Sequence, residues 1–193
     1  MKKHHAILTL ILCFTLHLSF GQNEANKTYT KEEMAEFQAN YKAKKKKEKA
    51  ARKGLEGTTL TELSFEDIDG NKHTYESLKG KVVVMNFWFI HCKPCVAEIP
   101  DLNKLKAEFK NKDVAFFAVA LDSKASLDKF LEKTTFDFTI IPNGRVLARD
   151  LKIPHYPYNV ILDKKGKLQY VSDVLSFNIM NRLKRKINGV LKR

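Results

Sequence analysis

The chain has 193 residues, 44% of them hydrophobic, which is enough for one domain with a full core and terminal extensions. Its formal net charge of +13 comes from the ends, because residues 1–30 contribute +2, residues 31–54 carry nine basic against four acidic side chains, and residues 182–193 add six basic ones. Residues 55–181 hold 17 of each sign. No aromatic and basic recognition pattern accompanies the charge, so we expect no nucleic-acid binding. The basic segments are interpreted as solvated, with weak contact to a membrane surface as the alternative.

The first 21 residues have the features of an export signal. Lys2 and Lys3 precede an apolar run over residues 6–20, which ends in small residues suited to a signal peptidase. We therefore expect cleavage before Gln22 and a location in the periplasm or extracytoplasmic envelope. The alternative is an uncleaved membrane anchor, although the apolar run is short for a membrane span.

Residues 22–57 are predicted to form a charged helical linker. Thr30 and Glu33 fit a capping box near its start. Its apolar side chains are spaced to share one helical face: Met34, Phe37 and Tyr41. Lysines and alanines dominate the rest of the segment, a composition typical of a solvated helix or tether.

Residues 58–193 alternate between strand and helix patterns and predict one α/β domain, with a central mixed β-sheet flanked by helices. Strands are predicted over residues 60–68, 72–75, 81–90, 114–121, 136–141, 158–162 and 168–171. Helices are predicted over residues 95–109, 126–133 and 145–151. A last helix carries its apolar residues on one face: Ile179, Leu183, Ile187 and Val190.

Two of the three cysteines remain once the signal is removed, and both lie in the motif Cys92-Lys93-Pro94-Cys95 between a predicted strand and a predicted helix. A ring this small constrains the unfolded chain little, so reactivity explains the pair better than stabilisation. Unpaired N–H groups and the positive end of a helix dipole favour the thiolate at a helix N-terminus. We expect Cys92, on the more exposed side, to attack a substrate disulfide and Cys95 to resolve the mixed disulfide.

Glu98 is the candidate for moving a proton at Cys95. It follows Cys95 by three residues, so both share one face of a helix. Partial burial would raise the pKa of Glu98 into a useful range. From spacing alone, an exposed first-turn carboxylate that stabilises the helix dipole is an equal alternative.

The chain resembles the TlpA/ResA-type branch of the thioredoxin-like family in four features: Val84-Met85-Asn86-Phe87-Trp88, the Cys92–Cys95 motif, Glu98 and Pro100. The resemblance extends over about residues 58–175. It implies a thioredoxin-like fold and an envelope thiol–disulfide oxidoreductase that needs no cofactor. It further implies disulfide-containing exported proteins as substrates, an upstream membrane or periplasmic electron donor, and a functional role for Glu98. Asn86 stands where thioredoxin has a buried Asp.

The same resemblance implies a cis-proline loop opposite the cysteines. Pro157 fits best, because it directly precedes the predicted strand 158–162. In this family the loop blocks metal capture and its preceding backbone, here that of Tyr156, binds substrate. A trans Pro157 that simply begins the strand is the alternative. Trp88 is grouped with the substrate-binding residues, although packing beside the motif is its expected main role.

Two positions depart from the family pattern. His91 stands where a Trp or similar residue is usual, and Tyr158-Asn159 follow the proline where Thr-Thr is common. His91 is either an imidazole that tunes the Cys92 thiolate or an exposed one without a role.

Disulfide reduction is the favoured direction, because an oxidising compartment needs dedicated reductants. A site for Cu(I) or Zn, built from Cys92, Cys95, His91 and His155, is one alternative. A thioredoxin-like adaptor with an idle motif is another. A peroxidase is disfavoured, since no separate peroxidatic cysteine remains.

Overall fold

A computed structural model describes residues 30–171 and 179–193 of the chain. The predicted export signal lies outside the described residues. Within them, no helix is both long and apolar enough to cross a membrane. The chain divides into two compact units, Met1–Lys46 and Lys47–Arg193, whose boundary falls within the first described helix.

That helix, α1 (Lys31–Leu55), begins at the predicted capping box. The backbone N–H of Glu33 donates to Oγ1 of Thr30 over 3.1 Å, and the backbone N–H of Thr30 donates to Oε2 of Glu33 over 2.8 Å. The three apolar residues of its predicted face are exposed: Met34, Phe37 and Tyr41. The predicted N-terminal charged helix is confirmed over Lys31–Leu55, and residues 22–29 of the predicted linker lie outside the described residues.

The remaining elements alternate as the sequence predicted. The strands are β1 (Ser64–Glu66), β2 (Lys72–Thr74), β3 (Val82–Trp88), β4 (Val114–Ala120), β5 (Thr139–Ile141), β6 (Tyr158–Leu162) and β7 (Leu168–Val171). The helices are α2 (Tyr75–Leu78), α3 (Lys93–Glu108), α4 (Lys124–Leu131), α5 (Arg145–Asp150) and α6 (Ile179–Leu191).

Five strands form a mixed sheet in the order β5-β4-β3-β6-β7. Strand β3 is central, pairing parallel with β4 and antiparallel with β6. All seven of its residues are buried, as expected for a strand covered on both faces. Alternate side chains enter two apolar layers, with Val84 and Trp88 in the layer shared with α3 and α6, and Val83 and Met85 in the other. The predicted central mixed sheet flanked by helices is confirmed.

Two strands are shorter than predicted. The segment 60–68 forms a strand only over Ser64–Glu66, because a turn joins the backbone of Leu63 to that of Leu60. The segment 136–141 forms a strand only over Thr139–Ile141. Before it, the backbone N–H of Asp137 donates to a side-chain oxygen of a neighbouring helix instead of to a strand.

Strands β1 and β2 form a separate antiparallel hairpin around the buried Asp67. Oδ1 of Asp67 accepts the backbone N–H groups of Asp69 and Asn71, and Oδ2 lies 2.8 Å from Nε2 of His73. Burial raises the pKa of Asp67, but the hydrogen bonds from His73 and Asn71 outweigh it, and the net pKa is lowered. The backbone N–H of Ile68 donates to β5, so the hairpin lies against the edge of the main sheet.

Candidate active site

The two cysteines lie where β3 ends and α3 begins. Cys92 is the N-cap of α3 and forms a disulfide with Cys95 in the first turn of the helix. The helix starts two residues earlier than predicted, because Pro94 lacks an N–H and suits the first turn. Cys92 is 6% exposed and Cys95 is 1% exposed, so Cys92 is the more accessible of the two residues.

Hydrogen bonds fix the segment that leads into the motif. The backbone N–H of Ile90 donates to Oδ2 of Asp122 over 2.8 Å, and that of Cys92 donates to the carbonyl of Phe89 over 3.0 Å. Because the chain is held on both sides of His91, the Cys92 sulfur keeps its place at the helix terminus. Reduction of the disulfide would leave Cys92 beside unpaired helix N–H groups, which favour a thiolate.

Glu98 is partly buried and turned toward the sheet. Nδ2 of Asn86 on β3 donates to Oε1 of Glu98 over 2.8 Å. Burial raises the pKa of Glu98 from 4.5 to about 7, although the hydrogen bond from Asn86 opposes the rise. Of the two interpretations that spacing left open, the geometry favours the buried proton-binding group over the exposed first-turn carboxylate.

A second amide, from Asn159 on β6, joins this pair. Asn86 and Asn159 stand directly opposite each other across the antiparallel β3–β6 pair. Nδ2 of Asn86 also donates to Oδ1 of Asn159 over 3.1 Å, and the two residues are 1% and 2% exposed. Sequence reasoning noted Asn159 only as a departure from the family pattern. The signal that it missed was an amide inside each of two strands with otherwise apolar interiors.

The loop before β6 completes the site. The Tyr156–Pro157 peptide bond is cis, as the family resemblance implied, and Pro157 is buried. The Tyr156 ring meets the Phe89 ring edge to face, with the centroids 5.6 Å apart. This contact brings the proline loop beside the segment that leads into the cysteines. Burial raises the pKa of Tyr156, and the positive charge of Arg145 opposes the rise.

Comparison with known proteins agrees with this arrangement. Residues 57–171 match the family model described as the AhpC/TSA family. The chain belongs to the AhpC/TSA family. It is 33% identical over 118 residues to the thioredoxin-like protein YneN of Bacillus subtilis. The aligned region covers 59% of this chain and 69% of that protein.

The chain is also 31% identical over 118 residues to the thiol-disulfide oxidoreductase ResA of Geobacillus kaustophilus. That aligned region covers 60% of this chain and 67% of that protein. The solved structure of DsbF from Mycobacterium tuberculosis is similar with a TM-score of 0.58 at 26% identity, covering 69% of this chain and 99% of that one. The family member is thus a thioredoxin-like protein of the ResA type and a thiol–disulfide oxidoreductase.

The other residues singled out from the sequence of this family member have different surroundings. Trp88 has no exposed surface and packs against Phe130 and Phe136, each with a centroid separation of 5.4 Å, which favours the packing role over substrate contact. His91 is exposed, whereas His155 is partly buried with its ring edge to face with a neighbouring aromatic ring. Among residues 30–171 and 179–193, no three potential metal ligands cluster together.

Proposed function

We propose that this chain exchanges disulfides with exported protein substrates through Cys92 and Cys95, working as a reductase with Glu98 as the carrier of the Cys95 proton. The observation that supports this most is the position of Glu98. It is a partly buried carboxylate on the helix of the cysteines, with a pKa of about 7. A group that must both accept and release a proton works best when its pKa is near the working pH.

In the proposed cycle, the Cys92 thiolate attacks a substrate disulfide. A bond forms between the Cys92 sulfur and one substrate sulfur, and the second substrate sulfur leaves as a thiolate that takes a proton from solvent. Ionised Glu98 then accepts the proton of the Cys95 thiol. The Cys95 thiolate attacks the Cys92 sulfur, forms the Cys92–Cys95 disulfide and releases the first substrate sulfur as a thiolate. Two electrons have passed from the cysteine pair to the substrate.

We place substrate binding at the loop of Tyr156 and Pro157. The backbone of Tyr156 precedes the cis bond, and its ring contacts Phe89 in the segment before the motif. An extended substrate segment could therefore lie along this backbone while its disulfide faces Cys92. The recognised chemistry is a disulfide within a polypeptide, for which backbone hydrogen bonds supply affinity.

We further infer that the enzyme works outside the cytoplasm. The signal-like residues 1–21 support export, and a charged helical linker over residues 22–57 would then carry the thioredoxin-like domain of residues 58–193. Oxidising compartments need reductants, and each turnover there requires two electrons from an upstream dithiol donor. The basic residues of α1 would allow weak contact with acidic lipid headgroups.

No specific observation favours the metal-binding alternative. In the described ranges, no third potential ligand clusters with Cys92 and Cys95. Structural zinc sites need four ligands in a closed shell.

The test is a mixed-disulfide trap on protein that begins at Gln22 and therefore lacks Cys13, with a small disulfide-bonded protein as the substrate. Reduced Cys95→Ala should accumulate a covalent adduct through Cys92, because no second thiol resolves it. Cys92→Ala is the matched control and should form no adduct, since the remaining cysteine is 1% exposed. The wild type should release reduced substrate. An adduct equal in both variants, or in neither, would refute the assignment of the attacking sulfur.

A further inference from the structure

Two buried amides face each other across the centre of the sheet. Asn86 and Asn159 are register partners on β3 and β6, and both are almost fully buried. Their side chains point into the layer that holds α3, because Asn86 lies two residues from Val84 and Trp88, and Asn159 two residues from Ile161, and residues two apart on a strand share a face. A buried amide is costly unless its hydrogen bonds are made, so the pair needs a physical reason.

The chemistry of Glu98 dictates how the Asn86 amide must be turned. An ionised carboxylate only accepts hydrogen bonds, so the amide must present nitrogen to it. An amide nitrogen carries two N–H groups, and the second one needs an acceptor. Oδ1 of Asn159, at 3.1 Å, is that acceptor. With the amide turned by 180°, its carbonyl oxygen would face two other acceptors, the Glu98 carboxylate and the Asn159 oxygen.

We propose that Asn159 is a positioning residue for the proton-transfer step: by accepting one N–H of Asn86 it fixes that amide so that the other N–H stays on the Glu98 carboxylate. This inference rests on the proposed role of Glu98 as the proton carrier. In this scheme Asn159 does not bind the moving proton. It acts through Asn86.

The surroundings of Glu98 make this hydrogen bond decisive for its charge. On its own helix the nearest charged side chains are the exposed Lys93 and the exposed Asp101, which pairs with Lys104. Strands β3 and β6 present to Glu98 the neutral amides of Asn86 and Asn159. Helix α6 packs on α3, but its Lys184 pairs with Glu108 at the other end of α3. In the described part of the chain, no charged side chain forms an ion pair with Glu98.

The test compares Asn159→Val with Asn159→Thr. Valine and threonine have nearly the same shape as each other and both suit a strand. Only threonine has an oxygen that can accept a hydrogen bond from Asn86. In oxidised protein labelled with ¹³C at the glutamate carboxyl carbons, NMR titration measures the pKa of Glu98. Asn159→Val should raise this pKa by on the order of one pH unit, the size of one hydrogen bond to a charged group, and Asn159→Thr should keep it nearer the wild-type value. Equal shifts in both variants, or no shift with valine, would overturn the proposal.

Two further variants separate a positioning role from other causes. Ile161→Val removes a buried methylene from the same face of β6 and should lower stability while leaving the Glu98 titration unchanged. Glu98→Gln should abolish the inflection near neutral pH in the rate of disulfide reduction. If that inflection survives in Glu98→Gln, the proposed proton carrier is wrong. If it disappears but Asn159→Val leaves the Glu98 pKa unmoved, only the role of Asn159 is wrong.

Discussion

Replacing Glu98 by glutamine should change how the stability of the oxidised protein depends on pH. The folded state binds the Glu98 proton more tightly than the unfolded chain does, because burial raises the pKa from 4.5 to about 7. Folding stability is therefore unaffected by this group below about pH 4.5 and falls as pH rises toward 7. With these two pKa values, ionisation of Glu98 lowers the free energy of unfolding by under about 1 kcal/mol at pH 5 and by about 3 kcal/mol at pH 8, relative to low pH.

Glu98→Gln removes this titration while keeping an oxygen that can accept from Asn86. Relative to the wild type, the variant should gain about 2 to 3 kcal/mol of unfolding free energy between pH 5 and pH 8. Urea unfolding at the two pH values measures the gain, followed by the fluorescence of Trp88, the single, fully buried tryptophan. The exposed Glu62→Gln is the control and should show no such change. A Glu98→Gln gain that is the same at both pH values would refute a buried, proton-binding Glu98.

Two further substitutions test the packing of the fold away from the cysteines. Gly144→Ala should destabilise the protein by about 1 to 3 kcal/mol, because the added Cβ would collide with Cγ1 of Val119. The control is Gly54→Ala in α1, where the added Cβ meets open space, and this change should be neutral or stabilising. Thermal unfolding of the two variants measures the difference. Asp67→Ala should cost about 2 to 4 kcal/mol at neutral pH by removing acceptors for His73 and the turn. Because the folded-state pKa of Asp67 is lowered, that cost should shrink as pH falls below 3.8, and a cost independent of pH would contradict it.

Local patterns were sufficient for the elements with strong periodicity or clear turns. Strand β3 matches its prediction because a strand buried on both faces has a continuous apolar run. The hairpin of β6 and β7 matches its prediction because a glycine-containing turn separates the two strand patterns. The predicted lengths of β1 and β5 were too long. At Asp137 the backbone N–H donates to the side chain of Asn103 instead of to a neighbouring strand. Asn103 lies 34 residues away, so the local sequence pattern does not indicate this hydrogen bond.

At the site, spacing identified the cysteine pair and Glu98 but left the environment of Glu98 undecided. Its burial depends on Asn86 and on how α3 packs over the sheet, which are tertiary features. Asn159 was harder still, because its contact with Asn86 exists only through the register of β3 with β6. Family resemblance supplied the cis bond before Pro157, which neither composition nor periodicity indicates.

The reduction potential of the Cys92–Cys95 pair is the most direct measurement of the central claim. The wild-type protein would be equilibrated in glutathione or dithiothreitol buffers of defined potential, and its thiols would be alkylated and counted by mass spectrometry. We predict one two-electron transition of this pair, at a potential between about −200 and −300 mV, as suits a reductase. A transition near −120 mV would contradict the reductase direction. Absence of any transition would contradict disulfide exchange itself.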